Sequence, residues 1–473
     1  MPGWLSKLLP IVILLAAIAV VLSRLPKVEL GHSDAFKRRR VLNWFPLGLT
    51  YAFLYFGRYN LSANASALDK LGLLSKAEFG RIDGWASAVY GIAFLLNGPL
   101  TDIWGGRATI LIAAAGSAAM NLAMGLVLSQ AQSGSMGHDD VVLWMTITST
   151  LNMYFQSFGA VSIVKVNAPW FHVKERGILG ATFGILISLG LYFAYDWTRL
   201  IFTEAGPTWA FYVPAVVLAV FAILDFFIIR DTPSKAGFPD FDTMDASSGA
   251  ESMTLWQIAK RILTQKVIWI IVAIEFCSGF LRNAVMKWYL IYADKVGEGQ
   301  NFVSKNWGVV LCVAGILGGV FAGVISDKVF DSRRGPVASV LYAGITVGSI
   351  ITLFALGSPI AGWSVVGMSL CVIGVHGMLS GTASADFGGR KGAGIATGII
   401  DGFVYFGSAT QAFLYAAITP SGDAAKDPAN WKNWPIAMIP VAIVGLALAS
   451  RVWNAKPKPN APPAAPVAAA VKP

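Results

Sequence analysis

Apolar residues run along this chain in long blocks separated by short polar turns. Twelve blocks occupy residues 43–63, 83–101, 107–130, 141–165, 177–198, 208–230, 267–293, 303–325, 337–357, 361–381, 392–418 and 433–453. A helix needs about 20 predominantly apolar residues to cross the hydrocarbon core of a bilayer, so each block predicts a membrane span. A further run, Trp4 to Ser23, comes first, with Lys7 near its start and Arg24 and Lys27 after it. No small-residue cleavage site follows it, which predicts an uncleaved extra N-terminal helix rather than a signal peptide. The expected organisation is an extra helix and linker over 1–36, a six-helix bundle over 37–230, a polar central loop over 231–266, a second bundle over 267–455, and a disordered Pro/Ala-rich tail over 456–473.

Composition agrees with lipid as the main solvent. The chain is 55% hydrophobic and 13% charged, with a mean hydropathy of +0.62, whereas soluble domains are about a quarter charged. The net charge of +10 sits mostly in short loops. There it orients the protein in the membrane and implies no nucleic-acid partner. Lys37-Arg38-Arg39-Arg40 places residues 24–42 inside, and Lys174, Arg176, Arg333, Arg334, Arg390 and Lys391 fall on the same side. Cys277, Cys312 and Cys371 all lie in apolar runs and form no disulfide or metal framework.

The halves echo one another. Arg58 and Arg282 are 224 positions apart, and Gly98-Pro-Leu-Thr-Asp102 with Arg107 recurs as Gly323-Val-Ile-Ser-Asp327 with Arg333 and Arg334. Arg176-Gly177 with Ala181-Thr182 returns as Lys391-Gly392 with Ala396-Thr397. Echoes in order at a nearly constant offset predict duplication. Two related six-helix halves around a shared cavity are the build of a rocking secondary transporter.

Arg58 lies deep in the first of the twelve spans, where a charged side chain costs roughly 2.5–3.5 kcal/mol on insertion scales. It cannot lose its proton. It therefore predicts a polar cavity with an anionic partner, and Arg282 repeats the feature in the second half. A phosphoryl group carries about −1.5 to −2 charges with several strong acceptors, and arginine can meet two of its oxygens at once. Two arginines, one per half, would clamp a single phosphate and draw the halves together.

Tyr55-Phe-Gly-Arg58-Tyr-Asn, Tyr90-Gly91, Phe155-Gln156, Lys174-Glu-Arg-Gly177, Leu281-Arg282, Lys287-Trp288, Ile373-Gly-Val-His376 and Tyr405-Phe-Gly407 carry a resemblance. Over about residues 38–455 the chain resembles the organophosphate:phosphate antiporters of the major facilitator superfamily, which include bacterial glycerol-3-phosphate and hexose-phosphate transporters. The resemblance implies an all-α polytopic membrane protein in the bacterial inner membrane. It implies a monomer without cofactor or metal that exchanges a phosphate ester for inorganic phosphate by alternating access. Carried onto this sequence, it assigns substrate binding to Arg58, Arg282, Lys287, Tyr55, Tyr59, Tyr154, Tyr405 and His376, and gating to Asp102, Arg107, Asp327 and Arg333. The chain departs from the glycerol-3-phosphate pattern at Tyr59, at Phe94, near Ile187 and Ser188, and at Lys287, which stands where an acidic residue is expected. These departures leave the phosphate clamp and alter the pocket for the organic group.

Three intramembrane groups remain. Glu275 stands seven residues before Arg282 on one helix face and is expected either to balance Arg282 or Lys287 or to carry a coupling proton. Asp401 is expected to pair with Lys287 or Lys165 or to join the site, and Lys165 to anchor at the interface. Competing functions are a proton- or sodium-coupled symporter of an organic carboxylate and a transporter-like receptor for a sugar phosphate. No nucleophile–base pair, metal spacing or phosphate-cradling loop stands in a polar segment, so the chain is not expected to be an enzyme.

Overall fold

The computed structural model describes residues 31–172, 186–241, 263–330, 334–379 and 384–453, with a few isolated positions outside them. The expected N-terminal helix, the central loop beyond 243 and the tail lie outside the described residues, isolated positions aside. The described secondary structure is helical throughout. The helices are α1 (Asp34–Lys70), α2 (Lys76–Trp104), α3 (Gly106–Gln132), α4 (His138–Asn167), α5 (186–205), α6 (Trp209–Ile228), α7 (Lys266–Lys295), α8 (Trp307–Val329), α9 (Arg334–Phe354), α10 (Pro359–His376), α11 (Ser384–Ile418) and α12 (Asn433–Arg451). Each falls on one predicted block. Among the described helices, α3, α6, α7, α9, α10 and α12 are long and apolar enough to cross a membrane by composition alone.

The helix ends run past the apolar blocks for local reasons. α1 starts nine residues before its block, at Asp34, where the Ser33 Oγ accepts from the Phe36 N–H at 3.2 Å and caps the helix. Its polar first turns dock on the end of α6: Arg39 donates to the Ile228 carbonyl at 2.6 Å, and Asn43 exchanges hydrogen bonds with the backbone of Arg230 at 2.8 and 3.1 Å. α2 begins with a capping box built from Ser75 and Glu78. α5 contains a π-helical turn, Phe193–Trp197, and α7 is interrupted at Lys287. Around that interruption two indoles take up backbone carbonyls, Trp307 that of Met286 at 3.0 Å and Trp434 that of Ala284 at 3.1 Å.

Burial separates the helices into layers. α6, α9 and α12 turn rows such as Val216, Val220 and Ile223, or Val340, Val347 and Ile351, outward. In a bilayer these rows face lipid. α1, α2, α4, α7 and α11 carry many of the buried polar residues and enclose the centre. The halves meet where α2 crosses α11, with Gly91 against the Gly402 carbonyl and Gly80 against Ala416. Neither glycine has room for a Cβ without a shift.

Polar contacts join the halves at the end that the charge pattern assigns to the outside. Lys295 pairs with Asp69 at 2.5 Å, and Arg199 reaches Asp294 at 3.2 Å and the Ser304 carbonyl at 3.1 Å. Lys76 donates to the Thr419 carbonyl and hydroxyl at 2.7 and 2.6 Å and to the Pro420 carbonyl. The π-helical turn presents the Asp196 carboxylate to the Gly308 and Val309 N–H groups at the start of α8, at 3.1 and 3.3 Å. A carboxylate at a helix N-terminus is favoured by the dipole and by the free N–H groups.

Candidate functional site

Two small cavities occupy the centre. One is lined by Tyr59, Ser87, Arg282, Asn283, Lys287 and Tyr405, among others. The other is lined by Arg58, Asn60, Asp83, Ser149, Asn152 and Lys287, among others. Lys287 belongs to both walls, so the three deep cations predicted from the sequence converge on one region.

Arg58 is 7% exposed. Its Nε donates to the Gln156 Oε1 at 2.7 Å, and its guanidinium carbon lies 4.6 Å from the Tyr55 ring centroid and 4.9 Å from that of Tyr90. Two aromatic faces next to a desolvated guanidinium supply cation–π attraction. Its Nη2 is buried without a hydrogen-bond partner. Arg282 is half-buried, 5.3 Å from the Tyr405 ring centroid. Tyr405 meets Tyr90 edge-on at 4.1 Å and stacks on Phe94 at 5.7 Å. The two arginines thus stand on either side of an aromatic contact between the halves.

Lys287 forms a buried ion pair with Asp83 of α2 and lies 5.5 Å from the Tyr59 ring centroid. The other Asp83 oxygen accepts from Asn283 Nδ2 at 3.0 Å, and Asn283 also donates to Gln411 Oε1 at 2.5 Å. This cluster joins α2 of the first half to α7 and α11 of the second. Asp83 was not singled out in the sequence. Its signal was an acid just inside an apolar block, but which cation it meets is a property of the tertiary fold.

Glu275 and His376 correct the expected pairing. Glu275 is fully buried and faces neither Arg282 nor Lys287: its Oε2 lies 3.1 Å from His376 Nδ1, within the second half. Lys287 likewise finds Asp83 rather than Asp401. Helix α10 brings His376 to the α7 face two turns from Arg282, where it meets one Glu275 oxygen, while the other, Oε1, is buried without a hydrogen-bond partner. His376 is absent from the lining of both cavities. Tyr154 also lines neither and packs on Phe155 and Phe158. Asp401 is 9% exposed on α11, and Lys165 is half-buried near the end of α4.

Of the expected gating residues, Arg107 is described in full. Its N–H donates to Asp231 Oδ1 at 2.8 Å and its Nη2 to the Phe226 carbonyl at 2.5 Å, tying α3 to the end of α6. Asp102 and Asp327 stand on α2 and α8, but their side chains and Arg333 lie outside the described residues.

Comparison with known proteins finds a family and relatives for the chain. A family model described as Major Facilitator Superfamily matches residues 47–412. The chain is 24% identical over 443 residues to a probable hexose phosphate transport protein of Chlamydia trachomatis, covering 89% of this chain and 92% of that protein. It is 26% identical over 445 residues to the glycerol-3-phosphate transporter of Bacillus subtilis, covering 89% and 94%. A membrane sensor protein of Escherichia coli, UhpC, is 26% identical over 418 residues, covering 83% and 88%. Among solved structures, a bacterial homologue of the human lysosomal transporter Spinster, inward-facing and unoccupied, superposes with a TM-score of 0.68 at 12% identity, covering 89% and 98%.

Proposed function

Because the chain belongs to the Major Facilitator Superfamily and is a multi-pass membrane protein, we propose that it exchanges an organic phosphate ester for inorganic phosphate across the bacterial inner membrane. Curated relatives named as hexose phosphate and glycerol-3-phosphate transporters support an organophosphate as the substrate class. The observation that carries the clamp is the buried, unpartnered Arg58 Nη2 beside an aromatic contact whose far side is held by Arg282. A buried donor without an acceptor is costly, and a phosphoryl oxygen supplies the missing acceptor.

In this reading the phosphate bridges Arg58 of α1 and Arg282 of α7, with Tyr55, Tyr59 and Tyr405 enclosing it. Its charge offsets the repulsion between the two cations and holds the halves together while the carrier reorients. Lys287 meets a second anionic group where the ester carries one, and is otherwise neutralised by Asp83. An empty site keeps its like charges facing, so reorientation is favoured with either anion bound, and exchange follows. Arg107 ties the inner ends of α3 and α6 as part of the gate formed with Asp102, Asp327 and Arg333.

One observation favours a second reading. Glu275, fully buried on the helix that carries Arg282, meets the half-buried His376 of α10, and this pair could carry a proton, as a proton-coupled symporter of an organic carboxylate requires. The test is uptake of radiolabelled phosphate into proteoliposomes preloaded with phosphate, with and without a protonophore. Protonophore-insensitive exchange that is lost in Arg58→Lys and Arg282→Lys supports the antiporter. Uptake that needs a proton gradient and no internal phosphate supports the symporter. Binding without movement marks a receptor.

A further inference from the structure

The two arginines are held differently. On the Arg58 side, buried carboxamides form a chain that returns to the same helix. Gln156, fully buried, accepts from Arg58 Nε at 2.7 Å and donates from its own Nε2 to Asn152 Oδ1 at 3.4 Å. Asn152 and Asn121 both donate to the Gly57 carbonyl, at 2.9 and 3.1 Å, and Asn60 donates to Asn121 at 2.7 Å. Gly57 directly precedes Arg58, so the network fixes both the backbone and the guanidinium plane. With Nε engaged by Gln156 and aromatic rings at Tyr55 and Tyr90, the buried Nη2 is left without a partner.

The second half anchors Arg282 differently: its neighbour Asn283 donates to Asp83, to Gln411 and to the Ser408 carbonyl, but among the described residues no carboxamide meets the Arg282 guanidinium itself. At the offset of 224 that relates Arg58 to Arg282, the counterparts of Asn60 and Asn121 are Ala284 and Ile345; for Asn152 and Gln156, where the offset falls between 224 and 215, the counterparts lie within residues 367–380, which contain no carboxamide. His376 is turned toward Glu275. Arg282 is half-buried, with its guanidinium near the Tyr405 ring.

We propose that the clamp is asymmetric: Gln156 is a positioning residue that pre-sets Arg58 as the fixed phosphate seat, and Arg282 is the jaw that orders as the halves close. This rests on the phosphate-exchange reading above. A guanidinium already held in its binding geometry loses less freedom when the ligand arrives, which strengthens binding of the resting carrier. Contacts that form only during closure act on the rate instead.

The test measures phosphate exchange in proteoliposomes for the wild type, Gln156→Leu and Gln156→Asn, each checked for an unchanged melting temperature. Asparagine keeps the carboxamide but withdraws it by one methylene, so either variant removes the acceptor at Nε. The KM for phosphate is expected to rise about tenfold with Vmax within about twofold. Arg282→Lys is expected to show the opposite split, a Vmax loss of about tenfold or more with a smaller change in KM. Lysine at 58 has no Nε–H in that geometry, so Gln156→Leu is expected to add nothing to the KM of Arg58→Lys yet act in full on Arg282→Lys. A general packing defect would act in both backgrounds. Where exchange is too slow to fit, equilibrium binding of radiolabelled phosphate to the purified protein gives the same comparison. An unchanged KM in the folded Gln156 variants, a loss confined to Vmax, or equal effects in both backgrounds overturns the asymmetry while leaving phosphate exchange standing. No phosphate exchange by the wild type overturns both.

Discussion

Asp83→Asn removes one charge from a buried pair that joins the two halves. Asp83 is 8% exposed and Lys287 is 6% exposed, so little water is available to solvate the ammonium left behind. Breaking a buried pair by removing one partner costs about 3–5 kcal/mol, whereas replacing both partners by neutral groups is often close to neutral. Asn283 and Gln411 soften the loss slightly, because the new amide can still accept from Asn283. Asp83→Asn and Lys287→Gln alone are therefore each expected to lower the melting temperature by on the order of 5 °C, with a domain of this size shifting by a degree or two per kcal/mol. The double variant is expected to recover most of that loss. The assay is thermal unfolding of detergent-purified protein, followed by tryptophan fluorescence on all four members of the cycle. A double variant that loses the sum of the two single losses would refute the reasoning, because it would show that neither charge depends on the other.

Further tests probe the seams between the halves. Burial pushes the Lys76 ammonium down to about 8 from its usual 10.5, with Asp69 opposing and Lys295 reinforcing the shift. A lysine with a lower pKa in the folded state binds fewer protons there between those values, so its contribution to stability rises with pH across that window. The wild type is expected to gain in melting temperature over Lys76→Met between pH 7.5 and about pH 10, and a gap that narrows with pH contradicts this. Gly91→Ala sets a Cβ against the Gly402 carbonyl where α2 crosses α11, and it is expected to slow exchange at least fivefold. Gly319→Ala, which meets nothing within 4 Å, is the control and is expected to leave exchange unchanged. If both behave alike, the α2–α11 contact is not limiting. Asp196→Ala removes an acceptor for two N–H groups of the opposite half, and is expected to raise labelling of outer-end cysteines introduced near the start of α8.

Much of this architecture was legible because lipid imposes a coarse rule: a spanning segment must be long, apolar and helical. The twelve blocks, the six-and-six division and the two deep arginines follow from that rule and from the repeat. The partners of buried charges do not, because they depend on which helix faces which. Glu275 could be paired from its own helix only by periodicity, which pointed at Arg282, while the actual partner, His376, comes from a helix about a hundred residues later. Asp83 went unremarked because a single acid near the edge of a span also suits an interface, and only the packing of α2 across α11, beside α7, turns it toward Lys287. Gln156 stood inside a recognised motif, but its contact with Arg58 requires α4 to lie against α1. The π-helical turn at Phe193–Trp197 left no signature in the apolar pattern.

The ion pairs that join the halves at one end make that seam responsive to dissolved salt. Lys295 and Asp69 keep 18% and 21% of their side-chain surface exposed, and Arg199 and Asp294 keep 28% and 14%. Charges so placed are reached by dissolved ions, whose screening length shortens from about 30 Å at 0.01 M to about 8 Å at 0.15 M. Asp83 and Lys287, deeper in the protein, are shielded from that influence. The ion pairs that join the halves at this end are therefore expected to hold most firmly in dilute surroundings and to weaken as salt rises.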